Sequence, residues 1–152
     1  MKYKTTDEWR NFSFAEAYIG DIQATNGFFH MELDNVTILP ENSCNRDIRK
    51  MRTNGLVLKL EDFAITSLIE EGYKVFDANG NPMKEVEDVV IAEKDYFSVI
   101  KELVEGVIYS LEKEENTYVF SIDAVNERTY TLEVKASHDI EEWERFLNLT
   151  AE

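Results

Sequence analysis

One thiol and two imidazoles are the side chains here with the makings of a nucleophile and its base: Cys44, His30 and His138. A thiolate needs an adjacent imidazole to be activated. Neither histidine lies near Cys44 in sequence, and Asn42-Ser43-Cys44-Asn45 has the composition of a small loop. The same three residues offer no Cys-x-x-Cys or His-x-x-x-His spacing, so neither a metal site nor a cofactor is expected. Asp77-Ala78-Asn79-Gly80-Asn81 sets oxygen ligands at alternate positions, as a calcium loop does. Pro82 then takes the place of the required glycine, Lys84 stands where an apolar residue is usual, and no helix pattern precedes Asp77, so a hairpin turn is expected instead.

Paired carboxylates can divide acid and base roles between them. They occur here as Glu61-Asp62, Glu70-Glu71, Glu87-Asp88, Glu114-Glu115 and Glu141-Glu142. With 31 acids against 16 lysines and arginines, such pairs arise from composition alone and are expected on the solvated surface. Six scattered glycines form no phosphate cradle. No catalytic residue is assigned. Against this acidity stands one basic island, Arg46, Arg49, Lys50 and Arg52. Those four are the candidate binding residues, for an anionic ligand or a partner's acidic patch, with surface ion pairs to the acidic second half of the chain as the alternative.

The elements that position these residues follow from periodicity. Residues 15 to 24 read as a strand, with Gly20 marking a bulge. Asn26-Gly27 supplies a hairpin turn, and from Phe28 the period is two, with Phe29, Met31 and Leu33 on one side. Val36 to Leu39 is extended up to Pro40, and the segment from 40 to 55 is irregular, with a short helical turn carrying Ile48 and Met51. Leu56, Leu58 and Leu60 alternate inward, a bulge is expected at Glu61-Asp62, and Phe63 to Ile69 and Tyr73 to Phe76 continue as strands. Tyr96, Val99, Ile100, Leu103 and Val104 recur at helical spacing, which predicts a helix from Glu93 to Glu105 with Gly106 as a left-handed cap. Val107 to Leu111, Tyr118 to Ala124 and Thr129 to Lys135 form an antiparallel meander. Ile140, Trp143, Phe146 and Leu147 predict a second helix from His138 to Leu149, capped by Ser137 or Asp139.

These elements predict an α+β fold in a single globular domain, 1–152: a mostly antiparallel, strongly curved sheet of seven or eight strands with two amphipathic helices. A hydrophobic fraction of 43% suffices for a core. The net charge of −15 repels nucleic acid and anionic membranes, no run of eighteen apolar residues occurs, and a lone cysteine fits a reducing, cytoplasmic setting. Residues 1–83 carry 13 acids and 9 bases (net −4) and residues 84–152 carry 18 and 7 (net −11), so the acidic face belongs to the second half. The function expected is non-enzymatic: an acidic binding or adaptor protein, of inhibitor or immunity type, engaging a basic protein. The alternatives are an anionic-ligand module with the 41–54 loop as lid, and a small hydrolase or thiol enzyme. Nothing in the sequence indicates a homo-oligomer.

Overall fold

Asn26 and Gly27 both take positive φ, 52° and 80°, the backbone a two-residue hairpin turn demands. They join β3 (Tyr18–Thr25) to β4 (Phe28–Asp34), with a register shift at Gly20. The computed structural model describes residues 1–149; Thr150–Glu152, part of the expected domain, lie outside the described residues. The other strands are β1 (Tyr3–Thr6), β2 (Phe12–Ser13), β5 (Val36–Ile38), β6 (Met51–Thr53), β7 (Leu56–Glu61), β8 (Ala64–Glu70), β9 (Tyr73–Phe76), β10 (Pro82–Val86), β11 (Val89–Val90), β12 (Val107–Glu114), β13 (Thr117–Asp123), β14 (Thr129–Lys135), β15 (His138–Trp143) and β16 (Leu147–Asn148). A helix, α1 (Tyr96–Ile100), is extended at both ends by 3-10 turns, Glu93–Asp95 and Lys101–Leu103.

Ten strands form one sheet in the order β1-β15-β7-β4-β3-β12-β13-β14-β8-β11. Every pairing in it is antiparallel. The inward rows of β4 and β7 pair Phe29 with Leu60, Met31 with Leu58 and Leu33 with Leu56, and all six are buried. The sheet doubles back on itself. The chain turns from β7 into β8 at Asp62, which takes φ 52°, and from β14 into β15 at Ser137, whose amide donates to the Glu61 carbonyl. Strands far apart in the order therefore meet across the core, as the bond from Tyr118 on β13 to Asp139 on β15 shows. A second sheet, β16-β6-β5-β2, and the hairpin β9–β10 complete the fold.

The α+β expectation with two amphipathic helices is corrected to a mostly antiparallel β fold with one short helical segment. Residues 138 to 149 are not a helix: they contain β15 and β16, joined by a short bend. Their apolar stripe has helical spacing, but the side chains that face inward with Trp143 are Asp139 and Glu141, so a strand with a half-polar buried face passed for a helix. The expected helical turn at Ile48 and Met51 also fails, because Ile48 is 92% exposed and Met51 belongs to β6. Among the described residues sixteen strands replace the expected seven or eight, since several have only two to four residues, too few to show alternation. The left-handed residue after the helical segment is Glu105 at φ 74°, not Gly106. Gly106 is required by proximity: a Cβ there would lie 2.8 Å from the Asp123 carbonyl oxygen. No helix among the described residues is long and apolar enough to cross a membrane.

Candidate functional site

Because β13 follows β12 by a tight turn and β14 follows β13 likewise, their outward residues stand in cross-strand rows. Glu112, Val119 and Glu133 form one row, Glu114, Thr117 and Lys135 the next, and Val107, Asp123 and Thr129 a third. Inward-facing Tyr118, Phe120 and Ile122 are buried, which fixes the other face as the outer one. With Glu115 in the turn, this face carries five carboxylates and one cation, Lys135. Glu112, Glu114, Glu115 and Glu133 make no ion pair among the described residues. An open depression of about 280 Å³ lies among Glu114, Glu115, Thr117, Val119 and Glu133. Strand pairing has gathered acids that are up to 21 residues apart in sequence onto one uncompensated surface.

The basic island is not gathered in the same way. Arg46 is exposed and, with Tyr3, Cys44, Asn45, Asp47, Met51 and Phe146, lines a cleft of about 360 Å³. Arg49 is committed to Asp47, Nη2 to Oδ2 at 3.3 Å. The side-chain hydrogen bond from Arg49 holds the Asp47 carboxyl below its ordinary range. Lys50 is exposed. Arg52 follows Met51 on β6, and alternation sends it to the side opposite the cleft that Met51 lines. One of the four cations therefore faces this cleft.

Cys44 is half-buried with its Sγ 3.8 Å from the Lys4 carbonyl oxygen, and no imidazole bonds to it. His138 Nδ1 bonds Asp7 Oδ2 at 2.8 Å, and that hydrogen bond raises its basicity. His30 lies on β4, where burial and the neighbouring Lys59 lower its pKa. Asp77 spends Oδ1 on the amides of Asn79 and Asn81, closing the β9–β10 turn.

One carboxyl pair escaped the sequence reading. Asp139 and Glu141 stand two apart on β15, so they project to the same side as Trp143, and none of the three has solvent exposure. Asp139 accepts from the Tyr118 hydroxyl at 2.6 Å and the Trp9 amide at 3.0 Å. Lys113 Nζ lies 3.9 Å from it, over the Tyr118 ring. Glu141 Oε1 accepts from the Thr5 hydroxyl at 2.6 Å, while Oε2 meets no donor. Burial first, then the neighbouring Asp139, push Glu141 up to about 10. At neutral pH Glu141 therefore carries the proton, and the hydrogen-bond donors of this corner converge on its neighbour Asp139. Burial and the Asp139 hydrogen bond likewise push the Tyr118 phenol far above its usual value.

Two neighbouring carboxyls, one held neutral, resemble a proton-sharing pair of the catalytic kind, but with zero exposure at both residues no substrate reaches them in this fold. Their work is local. Residues 3 to 9 run along β15, with Thr5 opposite Glu141. The Asp7 amide donates to the Asp139 carbonyl at 2.7 Å, and Asp7 Oδ1 accepts from the Asp139 amide at 3.2 Å. Expecting Glu141 on the surface with Glu142 was wrong for Glu141: Glu142 faces outward to Lys59 at 2.9 Å. The signal was present in the alternation of Asp139, Glu141 and Trp143. No protein family, curated protein or solved structure matches this chain.

Proposed function

We propose that this protein binds a cationic protein partner through the outer face of β12, β13 and β14. The observation that carries the reading is the cluster of Glu112, Glu114 and Glu133 on two adjacent cross-strand rows, with Glu115 beside it, left without ion pairs among the described residues on an antiparallel meander. Carboxylates at fixed positions on strands cost little side-chain reorganisation on binding, and their summed field accelerates encounter with a basic surface. The same charge works against nucleic acid and anionic lipid as partners. The unpaired Cys44 suits a cytoplasmic setting.

The test is capture from cells of the source organism by the wild type and by a Glu112→Lys, Glu114→Lys, Glu133→Lys variant, followed by kinetics on the protein retained. A basic partner should be kept by the wild type and lost by the variant. Its association rate should fall at least tenfold between about 50 mM and about 500 mM salt as the Debye length shrinks. Equal capture by both forms would refute the reading. A second reading, an anionic ligand beneath the 41–54 segment, has the cleft beside Arg46 in its favour; Arg46→Glu should then abolish binding of the anion.

A further inference from the structure

Beyond Ile19 the edge of β3 has no strand beside it. β3 and β12 share a single ladder pair, Tyr18 with Val107, and the antiparallel direction carries the far half of β3 alongside residues that have turned into the helical segment. A strand edge next to a short helix cannot close as two strands do. What remains is a groove of about 310 Å³, walled on one side by Ile22 and Ala24 of β3 and on the other by Phe97 and Ile100 of α1, with Lys101 at its rim. Its lining is mostly apolar, Phe97 is 51% exposed, and Lys101 is the only charged residue lining it. Lys101 makes no ion pair among the described residues. This site is separate from the acidic face.

We infer that the groove between β3 and α1 binds a small amphipathic anion, an apolar body carrying one carboxylate or sulfonate that meets the Lys101 ammonium. Its size is at the lower end of the range of about 300–1,000 Å³ in which small-molecule sites fall. A free cation at an apolar groove, in a chain of net charge −15, sets a local preference opposite to that of the whole protein. Neutral apolar molecules would use the walls alone, and cationic ones would be opposed by Lys101.

The test titrates the full chain with 8-anilinonaphthalene-1-sulfonate by fluorescence, and displaces it with dodecanoate or with the uncharged dodecanol. One site per chain is expected, with dodecanoate displacing the probe at least tenfold better than dodecanol, about 1.4 kcal/mol. Displacement by neither, or saturation at many weak sites, would overturn the inference. Lys101→Glu should weaken the probe about tenfold, whereas Lys94→Glu, the same charge change off the groove, should weaken it less than about twofold. Equal losses in the two variants would reduce the effect to net charge and refute the site. Ala24→Trp fills the groove and should abolish binding; should that chain fail to melt cooperatively, Phe97→Ala, on the exposed wall, should still lower affinity severalfold, and unchanged affinity there counts against the groove.

Discussion

Replacing Glu141 by glutamine removes one titration while keeping the shape and the oxygen that accepts from Thr5. The folded protein holds Glu141 at about 10, against an ordinary 4.5 in the unfolded chain. Since the folded state keeps the proton that the unfolded state releases, the stability of the native protein falls as pH rises from about 4.5 towards 10. At pH 7, two and a half pH units above the unfolded value, keeping the carboxyl neutral costs about 3 kcal/mol. Glutamine needs no proton. Glu141→Gln should match the wild type near pH 4 and exceed it by about 3 kcal/mol at pH 7, which for a chain of this size is a Tm gain of about 6–12 °C. The assay is urea denaturation followed by tryptophan fluorescence at a series of pH values, because Trp143 is fully buried and reports loss of the core. Taking the difference between the two proteins cancels the titrating groups that do not interact with residue 141. A gap that is the same at pH 5 and pH 8, or a variant weaker than the wild type throughout, would refute the assignment of the proton to Glu141.

His138, raised by its hydrogen bond to Asp7, should stabilise fully below its unfolded value of about 6.5 and lose that contribution as pH rises through the higher folded value, so the Tm difference between wild type and His138→Gln should be larger at about pH 5.5 than at about pH 8.5. Gly106→Ala should destabilise by about 1–3 kcal/mol in denaturant melts, because its Cβ would press on the carbonyl oxygens of Asp123 and Leu103 at 2.8 and 2.9 Å.

The sequence announced the fold wherever an element was long and its inward side apolar. Asn26-Gly27 with Phe29, Met31 and Leu33 marked β3–β4, Leu56, Leu58 and Leu60 marked β7, and Tyr96 to Leu103 marked the helical segment. It misled where a buried face was not apolar: on β15 the residues that should have shown the period of two are Asp139 and Glu141, and the surviving apolar positions happened to fit 3.6. The short strands β2, β6, β11 and β16 have too few residues to alternate visibly. The binding residues illustrate the same limit. Arg46, Arg49, Lys50 and Arg52 are neighbours in sequence, yet a local ion pair and the alternation of β6 divert two of them from the cleft. Glu112 and Glu133 are distant in sequence, yet both stand beside Val119, because register rather than proximity assigns the rows.

A costly buried acid has a use that the apolar core cannot supply. β1 is an edge strand of Tyr-Lys-Thr-Thr in which only Thr5 is buried, so its own pattern sets its register weakly. The polar bonds set it instead. Thr5 must face Glu141, Asp7 must reach the backbone of Asp139, and the Trp9 amide must reach the Asp139 carboxylate. Slipping β1 by one residue would turn Lys4 or Thr6 inward, take the Thr5 hydroxyl from Glu141 and the Trp9 amide from Asp139, and leave the buried Glu141 without a donor. The residue that lowers stability at neutral pH thus fixes where the start of the chain lies along β15, and Tyr3 stacks on Trp143 at 5.7 Å as a consequence of that register.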